Sequence, residues 1–507
     1  MKKLHSLGAV CLCMTIGAPF AASGATYWVY SYKSIDVTSS GGAENAKNIA
    51  HDLSRLDTAI TAVLRIKSSD WRPPTRVYVM PESVFSRVRG KKDDSLSLYI
   101  PGRLGNVIEI NASNTRADEM YGAFFGYTGS VLLNAYSFRY PPWFVRGLSE
   151  TFGASVISSG KVSIGEASPA RVRPLLSEKL IPMRELLALH FDDPQLRSPN
   201  YFALYNAESW LLVHLIVLEG KYHSNFFNYF LLLDQGQEEA KAFAASFDVS
   251  YEDLDKMLNA VVRAGKIQIS KVAIADEPDP GLATRLTDAE AAGRLAAVAA
   301  THGANSDQAL QMANEAIALG PKNPDALFAL AQVQFQRADY TAALQATDKL
   351  CSLDSPTQKT LANCGRLFSR LAGAVLGKKA TLDVEGQALR ERSRGYYDKA
   401  ITMDSEDIGS YEGMADLLAD MRNADYSQAF LPSAQGAMSA HSHAGGLARS
   451  LAGMCSAMGN NVMALNYAVM WQNAALSEAE RDSAATYVSH LKGVADRNNL
   501  RDAGGPH

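Results

Sequence analysis

Between residues 289 and 495 the chain returns to one pattern of large apolar residues and alanines about every 34 residues. A period of that length narrows the choice of fold sharply, because each repeat is a helical hairpin that cannot bury its apolar face alone and must stack on its neighbours. The clearest unit places Leu327, Leu330 and Ala331 on a first helix, Asp339-Tyr340, Ala343, Leu344 and Leu350 on a second, and Pro356 after it. Large side chains fill the layer between hairpins, and alanines sit where two helices approach closely. Ala309, Ala316, Ile317, Leu319 and Pro321 end an earlier unit. Leu361, Cys364, Gly365 and Phe368 open a later one, which a charged insertion from Lys378 to Arg394 interrupts before Ala400, Ile401 and Met403 close it. Tyr411, Met414, Ala415 and Leu418 begin a fourth unit, and Leu447, Leu451, Ala452, Cys455, Gly459 and Ala464 a fifth. Five units exceed the roughly three that a stable stack needs.

This phase resembles that of tetratricopeptide-type repeats. The resemblance implies an all-α solenoid over 289–495, with a concave face that holds a peptide or protein partner. A plain alanine-rich helical bundle is the alternative reading of the same alanines. Ahead of the repeats, Asp276-Glu277-Pro278-Asp279-Pro280-Gly281 stops all periodicity, which places a linker over 273–288.

The first half mixes strand and helix signals. Tyr27 to Thr38, Thr75 to Met80, Leu96 to Ile100 and Val107 to Ile110 read as strands rich in aromatic and β-branched residues. Ile49, Leu53, Leu56, Ile60, Val63 and Leu64 recur at helical spacing between the first two. A helix is expected after Thr115, capped with Asp118 and running through Met120, Phe124, Phe125, Tyr127, Val131 and Leu132. Pro141-Pro142 then breaks the chain and starts a second helix from Trp143 to Glu150, and further helices are expected over Tyr201 to Leu218, Asn225 to Leu233 and Tyr251 to Val262. The order predicts an α+β domain over 26–272, a small mixed sheet plus helices.

Residues 1–25 read as a cleavable signal peptide: Lys2 and Lys3, an apolar stretch from Leu7 to Ile16, then small residues up to Ala25. That stretch is shorter than the roughly 20 residues that span a bilayer and no comparable one follows, so the expectation is an exported, periplasmic chain without a transmembrane segment. Residues 496–507 are expected to form a flexible tail. Beyond the signal the cysteines are Cys351, Cys364 and Cys455, an odd number on apolar helical positions. Buried free thiols are the favoured reading, with a Cys351 to Cys364 bridge as the alternative. The charge of −4 and a pI near 6.2 lack the basic footprint of a nucleic-acid binder.

Phe125-Gly126-Tyr127-Thr128-Gly129, followed by Tyr140-Pro141-Pro142-Trp143-Phe144-Val145-Arg146-Gly147-Leu148-Ser149-Glu150, is similar to the thermolysin-like (gluzincin) zinc-peptidase domains of exported bacterial proteins. Trp28, Ser34 to Ser40, Val77 to Phe85 and Tyr201 to Ser209 extend the resemblance over about residues 26 to 270. In that family an H-E-x-x-H helix presents two zinc-binding histidines and a general base, and a glutamate on the next helix completes the metal site. Here Phe125 and Gly129 stand at the histidine positions, Gly126 at the base and Arg146 at the third ligand, while Glu150 keeps the family's residue type. A fixed guanidinium at a ligand position repels a dication. The resemblance therefore implies a degenerate peptidase-like domain without metal, cofactor or catalysis of the family type.

Other chemistry is sparse. His214 and His223, with Glu219 between them, are too far apart to share one helix face. His441 and His443 lie in a loop between repeats, and Arg87, Arg89, Lys91 and Lys92 read as a solvated loop between strands. His190 with Asp192 and Asp193 forms a candidate acid and base group. Two readings follow. The leading one is a non-catalytic binding or scaffold protein that recognises a protein or peptide partner through its repeats. The alternative is a hydrolase built on Glu150, His190 and Asp192.

Overall fold

The alternating run Thr75–Met80 sets the centre of the first half: Val77 and Val79 lie on one face of a sheet, Tyr78 and Met80 on the other, and all four are buried. This is the two-residue side-chain period of a strand packed on both faces. The structure is a computed structural model that describes residues 25–64, 74–92, 95, 97–100, 105–112, 116–135, 140–190, 192–275, 281–302, 306–376, 384–441, 444–474 and 478–503. Of the expected signal peptide only Ala25 falls within that range.

Six strands form a mixed sheet in the order β4-β5-β3-β2-β1-β9: Trp28–Tyr32 (β1), Ile35–Ser39 (β2), Thr75–Met80 (β3), Ser97–Ile100 (β4), Asn106–Asn111 (β5) and Thr284–Arg285 (β9). β2, β3 and β5 run parallel, and β1, β4 and β9 pair antiparallel at the two sides. The run expected as one strand from Tyr27 to Thr38 is a hairpin, because Lys33 takes a left-handed φ of 53° and turns the chain. A second sheet, absent from the sequence reading, joins Val156–Ser158 (β6), Lys161–Ile164 (β7) and Ser270–Ala273 (β8).

Helix Ala43–Leu64 (α1) covers the Val77 face of the large sheet. Helix Glu82–Arg89 (α2) lies on the other face and ends at Gly90 in the left-handed conformation. Arg87 and Arg89 therefore sit on a helix and not in the solvated loop that the sequence suggested. The helical part of this half continues with Arg116–Ala135 (α3), Pro142–Gly153 (α4), Pro169–Ser177 (α5) and Met183–Ala188 (α6). Pro199–Val213 (α7), which runs on into a π-helical turn at His214–Leu218, is followed by His223–Asp234 (α8), Glu239–Ser246 (α9) and Tyr251–Ala264 (α10). Among the described residues Pro199–Leu218 is the one helix long and apolar enough to cross a membrane, and 72% of its most apolar window is buried inside the protein.

The second half is a solenoid of hairpins: Asp288–His302 (α11) with Ser306–Leu319 (α12), Pro324–Gln336 (α13) with Tyr340–Cys351 (α14), Gln358–Leu376 (α15) with Val384–Met403 (α16), Ile408–Met421 (α17) with Ala424–Ala440 (α18), and Gly445–Ala457 (α19) with Asn461–Asn473 (α20). Helix Glu478–Ala503 (α21) closes the array, so the helix continues through most of the segment expected as a tail. Side-chain caps start five of these helices: Asn323, Asp339, Asp407, Asn423 and Asn460 each accept the backbone N–H three residues on. Two bonds between successive hairpins span 34 residues each, Asn323 Nδ2 to the Ala289 carbonyl at 2.9 Å and Lys359 Nζ to Asp325 Oδ1 at 2.9 Å. They repeat the period seen in the sequence.

Two further expectations change. Cys351 and Cys364 form a disulfide with Cα atoms 5.8 Å apart, tying the end of α14 to α15, and Cys455 is the buried free thiol. The charged insertion is helical from Val384 onward as the first part of α16, with Arg392 paired to Asp348 at 2.5 Å; residues 377–383 lie outside the described range.

The segment read as a linker joins the halves tightly. Ala273 ends β8, and Thr284–Arg285 becomes the edge strand β9 on β1. α11 and α12 then pack with α2 on the Tyr78 face of the sheet. Arg294 of α11 donates to Asp36 Oδ1 at 2.8 Å and Thr38 Oγ1 at 3.0 Å, Arg87 donates to both oxygens of Glu315 at 2.7 and 2.8 Å, and His302 Nε2 lies 2.7 Å from Glu109 Oε1. At the far end, Arg481 of α21 pairs with Asp234 at the end of α8.

Candidate functional site

Helix α4 is placed by its own first residues. Pro141 and Pro142 fix the entry, and Trp143 is fully buried among Phe144, Phe226 and Phe230. One turn further on, Gly147 allows α4 to cross α7 at close range: a Cβ there would meet the Ser209 carbonyl oxygen at 2.2 Å. The crossing fixes Arg146 and Glu150, on either side of Gly147, against α3 and α7.

Three of the five positions singled out by the motif meet there. Arg146 Nη2 lies 3.1 Å from Glu150 Oε1. The Arg146 guanidinium carbon stands 4.6 Å from the Phe125 ring centre and 5.1 Å from that of Phe202, a cation held between two aromatic faces. Phe125 and Arg146 thus contact each other across the α3–α4 interface. Gly126 and Gly129 serve packing: a Cβ at Gly126 would lie 3.2 Å from Tyr99 Cβ, and one at Gly129 would lie 3.7 Å from Tyr99 Cε1 and Ser149 Oγ. Gly122, whose Cβ would meet Ser97 at 2.7 Å, and Gly126 let α3 press against β4, whereas a Cβ at Gly129 would make only ordinary contact.

Two partners of Glu150 were missed in the sequence. Arg171 of α5 donates Nε to Glu150 Oε2 at 2.7 Å, and its Nη2 donates to the Tyr121 hydroxyl at 3.0 Å. Tyr121 in turn donates its hydroxyl to the same carboxylate oxygen. Tyr121 lies one turn before Phe125 on α3, so helical spacing carried a signal for it; Arg171, beyond a β-hairpin, had none. Glu150 is fully buried, and both of its oxygens face guanidinium groups. Burial and then the Glu150 charge push the Tyr121 phenol above its ordinary value, so it stays a donor. Burial works against the Arg171 charge, yet Glu150 and Tyr121 hold it more firmly protonated than a free guanidinium. Glu150 Oε2 thus takes both hydrogen bonds, while Oε1, close to the Arg146 guanidinium, accepts none.

The alternative constellation does not assemble. His190 and Asp192 are exposed at the end of α6, and the His190 N–H donates to Asp193 Oδ2 at 2.7 Å. Neither is among the contacts of Glu150. His214 is fully buried, with burial lowering its proton affinity, whereas His223 is exposed with its ring 4.6 Å from that of Phe227. His443 lies outside the described residues. Among the described residues no group of three or more His, Cys, Asp and Glu side chains converges in a way that suits a metal ion.

A second buried carboxyl lies on α7. Glu208 accepts the Ile181 N–H at 2.7 Å on one oxygen and has no partner on the other. Burial, partly offset by that bond and reinforced by Asp255 and Glu185, pushes it up to about 8.

No family model matches the sequence, and no curated protein matches it. Among solved structures the chain is similar to TTC0263, a thermophilic TPR protein in Thermus thermophilus, at 16% identity over 39% of this chain and 98% of that one, with a TM-score of 0.32. It is also similar to yeast Tom70 at 12% identity, over 89% of this chain and 74% of that one, with a TM-score of 0.30.

Proposed function

We propose that this is an exported, non-catalytic binding protein, in which a peptidase-like domain that has lost its metal ligands and general base is fused to a tetratricopeptide-type array that holds a protein or peptide partner. The observation that carries the first part is the fate of Arg146. Its guanidinium lies between Phe125 and Phe202 and on Glu150, so the one acidic residue kept from the family pattern is bound to two arginines and a tyrosine. A dication entering there meets two guanidinium charges against a single carboxylate. Successive hairpins linked at a constant 34-residue step support the second part, since such stacks present a continuous inner surface. The Cys351 to Cys364 disulfide is in keeping with an oxidising compartment outside the cytoplasm.

The test is elemental analysis of the purified chain from Thr26 onward after dialysis against zinc, beside peptidase assays with and without chelator. The expected outcome is far less than stoichiometric zinc and no chelator-sensitive cleavage. Stoichiometric zinc, or cleavage abolished by chelator, would overturn the reading.

A further inference from the structure

From Tyr426 to Ser477 the chain carries one charged side chain, Arg449, although one residue in five is charged over the whole sequence. Arg449 itself is paired with Asp416 of α17 at 3.8 Å. The gap in charge has sharp borders. Helix α16 before it holds seven charged residues, and α21 after it opens with Glu478, Glu480, Arg481 and Asp482. Most of α19 is buried, so the surface left by the gap is that of α18 and α20, the second helices of adjacent hairpins, where Gln435 Nε2 donates to the Tyr467 hydroxyl at 2.8 Å.

Helix α20 has no charged residue and turns apolar side chains outward: Val462 is 70% exposed, Met470 48% and Val469 38%. The spacing of Val462, Asn466, Val469 and Asn473, all exposed, puts them in one row along the helix. Beside it, α18 exposes the uncharged Gln428, Pro432, Gln435 and Ser439. A solvated surface mixes charges of both signs, whereas the centre of a protein interface is depleted of charge and rimmed by it, which is the pattern here. A charged partner would bury its ions against nothing that pairs with them. A lipid surface favours cations beside the apolar row, and the row has none. The occupant must therefore be uncharged, and the same face on a second copy of the chain meets that condition. In a two-fold contact each side chain lies near its own counterpart, so a charged face would repel itself, while valine packs on valine and an Asn amide both donates to and accepts from its mate.

We propose that the chain forms a two-fold homodimer through the outer faces of α20 and α18, with Val462, Asn466 and Val469 at its centre. Helices of about 20 and 26 Å lying about 10 Å apart offer roughly 400 Å² per copy, a small contact, so the dimer exchanges with single chains.

Sedimentation equilibrium of the chain from Thr26 onward, between about 1 and 300 µM, tests this. The mass should rise from that of one chain to that of two. Its midpoint should not move to higher concentration as salt rises from about 0.05 to about 0.5 M, since no ion pair crosses the contact. Val469→Asp and Asn466→Arg, both at exposed positions and with unchanged circular dichroism, should each weaken association about tenfold or more. Leu176→Asp, at an exposed apolar residue of α5, should leave it unaltered. A single-chain mass over the whole range would overturn the proposal, as would a dimer that both α20 variants leave intact, or one that salt or Leu176→Asp dissociates. Flotation of the single chain with neutral phosphatidylcholine vesicles would assign the face to lipid and overturn it too.

Discussion

At the scale of single residues, two buried positions set measurable properties. The Glu208 carboxyl, pushed up to about 8, keeps a proton in the folded chain that the unfolded chain releases near its ordinary value of about 4.3. The folded state then binds more protons than the unfolded one across that window, so stability falls as pH rises from about 4.3 to about 8 and is flat beyond. Glu208→Gln should remove this slope, with the difference from the unaltered chain growing by on the order of 4 kcal/mol between about pH 5 and pH 8. Urea unfolding of both proteins at several pH values measures it, and parallel slopes would contradict the assignment. Gly147→Ala should cost about 3 kcal/mol, because its methyl group would fall 2.2 Å from the Ser209 carbonyl and force α4 away from α7. The same helix shows how far sequence reading reached. Arg146, Phe125 and Glu150, all singled out in the sequence, do meet in the structure, Arg146 contacting both of the others. Arg171 was not legible, since it comes from a third helix whose docking depends on tertiary packing, and Glu208 was not, since nothing in a Tyr-Asn-Ala-Glu-Ser run announces a carboxyl with an unpartnered oxygen.

At the scale of elements, the period of the second half was the most legible feature, because helix caps, alanines and large apolar residues all recur in one phase. Asn323 and Asp339 mark consecutive helix starts, and each does so through a bond to the third backbone N–H beyond it. The insertion obscured that phase, and the disulfide was masked by two cysteines that both sit on apolar positions. Closing a loop of 13 residues, the Cys351 to Cys364 bond should contribute about 3 kcal/mol. Cys364→Ser should therefore lower the denaturant midpoint of the array, and added reductant should reproduce the loss in the unaltered chain but have no further effect on the variant. Strand boundaries fared worse: one residue with positive φ, Lys33, split an expected strand in two, and the three short strands of the second sheet carry too little β signal to stand out.

At the scale of the whole molecule, the chain closes on itself. The array starts on the sheet through α11 and comes back to α8 through the pairing of Arg481 with Asp234, two residues 247 positions apart in the sequence. Arg481→Glu should open this closure and increase the radius of gyration measured by X-ray scattering, and Asp234→Arg in the same chain should restore it. An unchanged scattering profile in the single variant would mean that packing elsewhere sets the curvature. None of these long-range pairs was legible in the sequence, where residues 273–288 read as a linker.

The edge strand β9 bears on how the protein can be handled and how it is assembled in a cell. Severing the backbone between Ala275 and Gly281 would leave the upstream fragment with a bare strand edge at β1 and a greasy plateau around Tyr78 and Met80, both of which the downstream fragment carries the means to cover. Each piece alone should be sticky. Co-expressed, they should snap together as a two-part complementation pair, and a reporter split across that position would light up only when both are made.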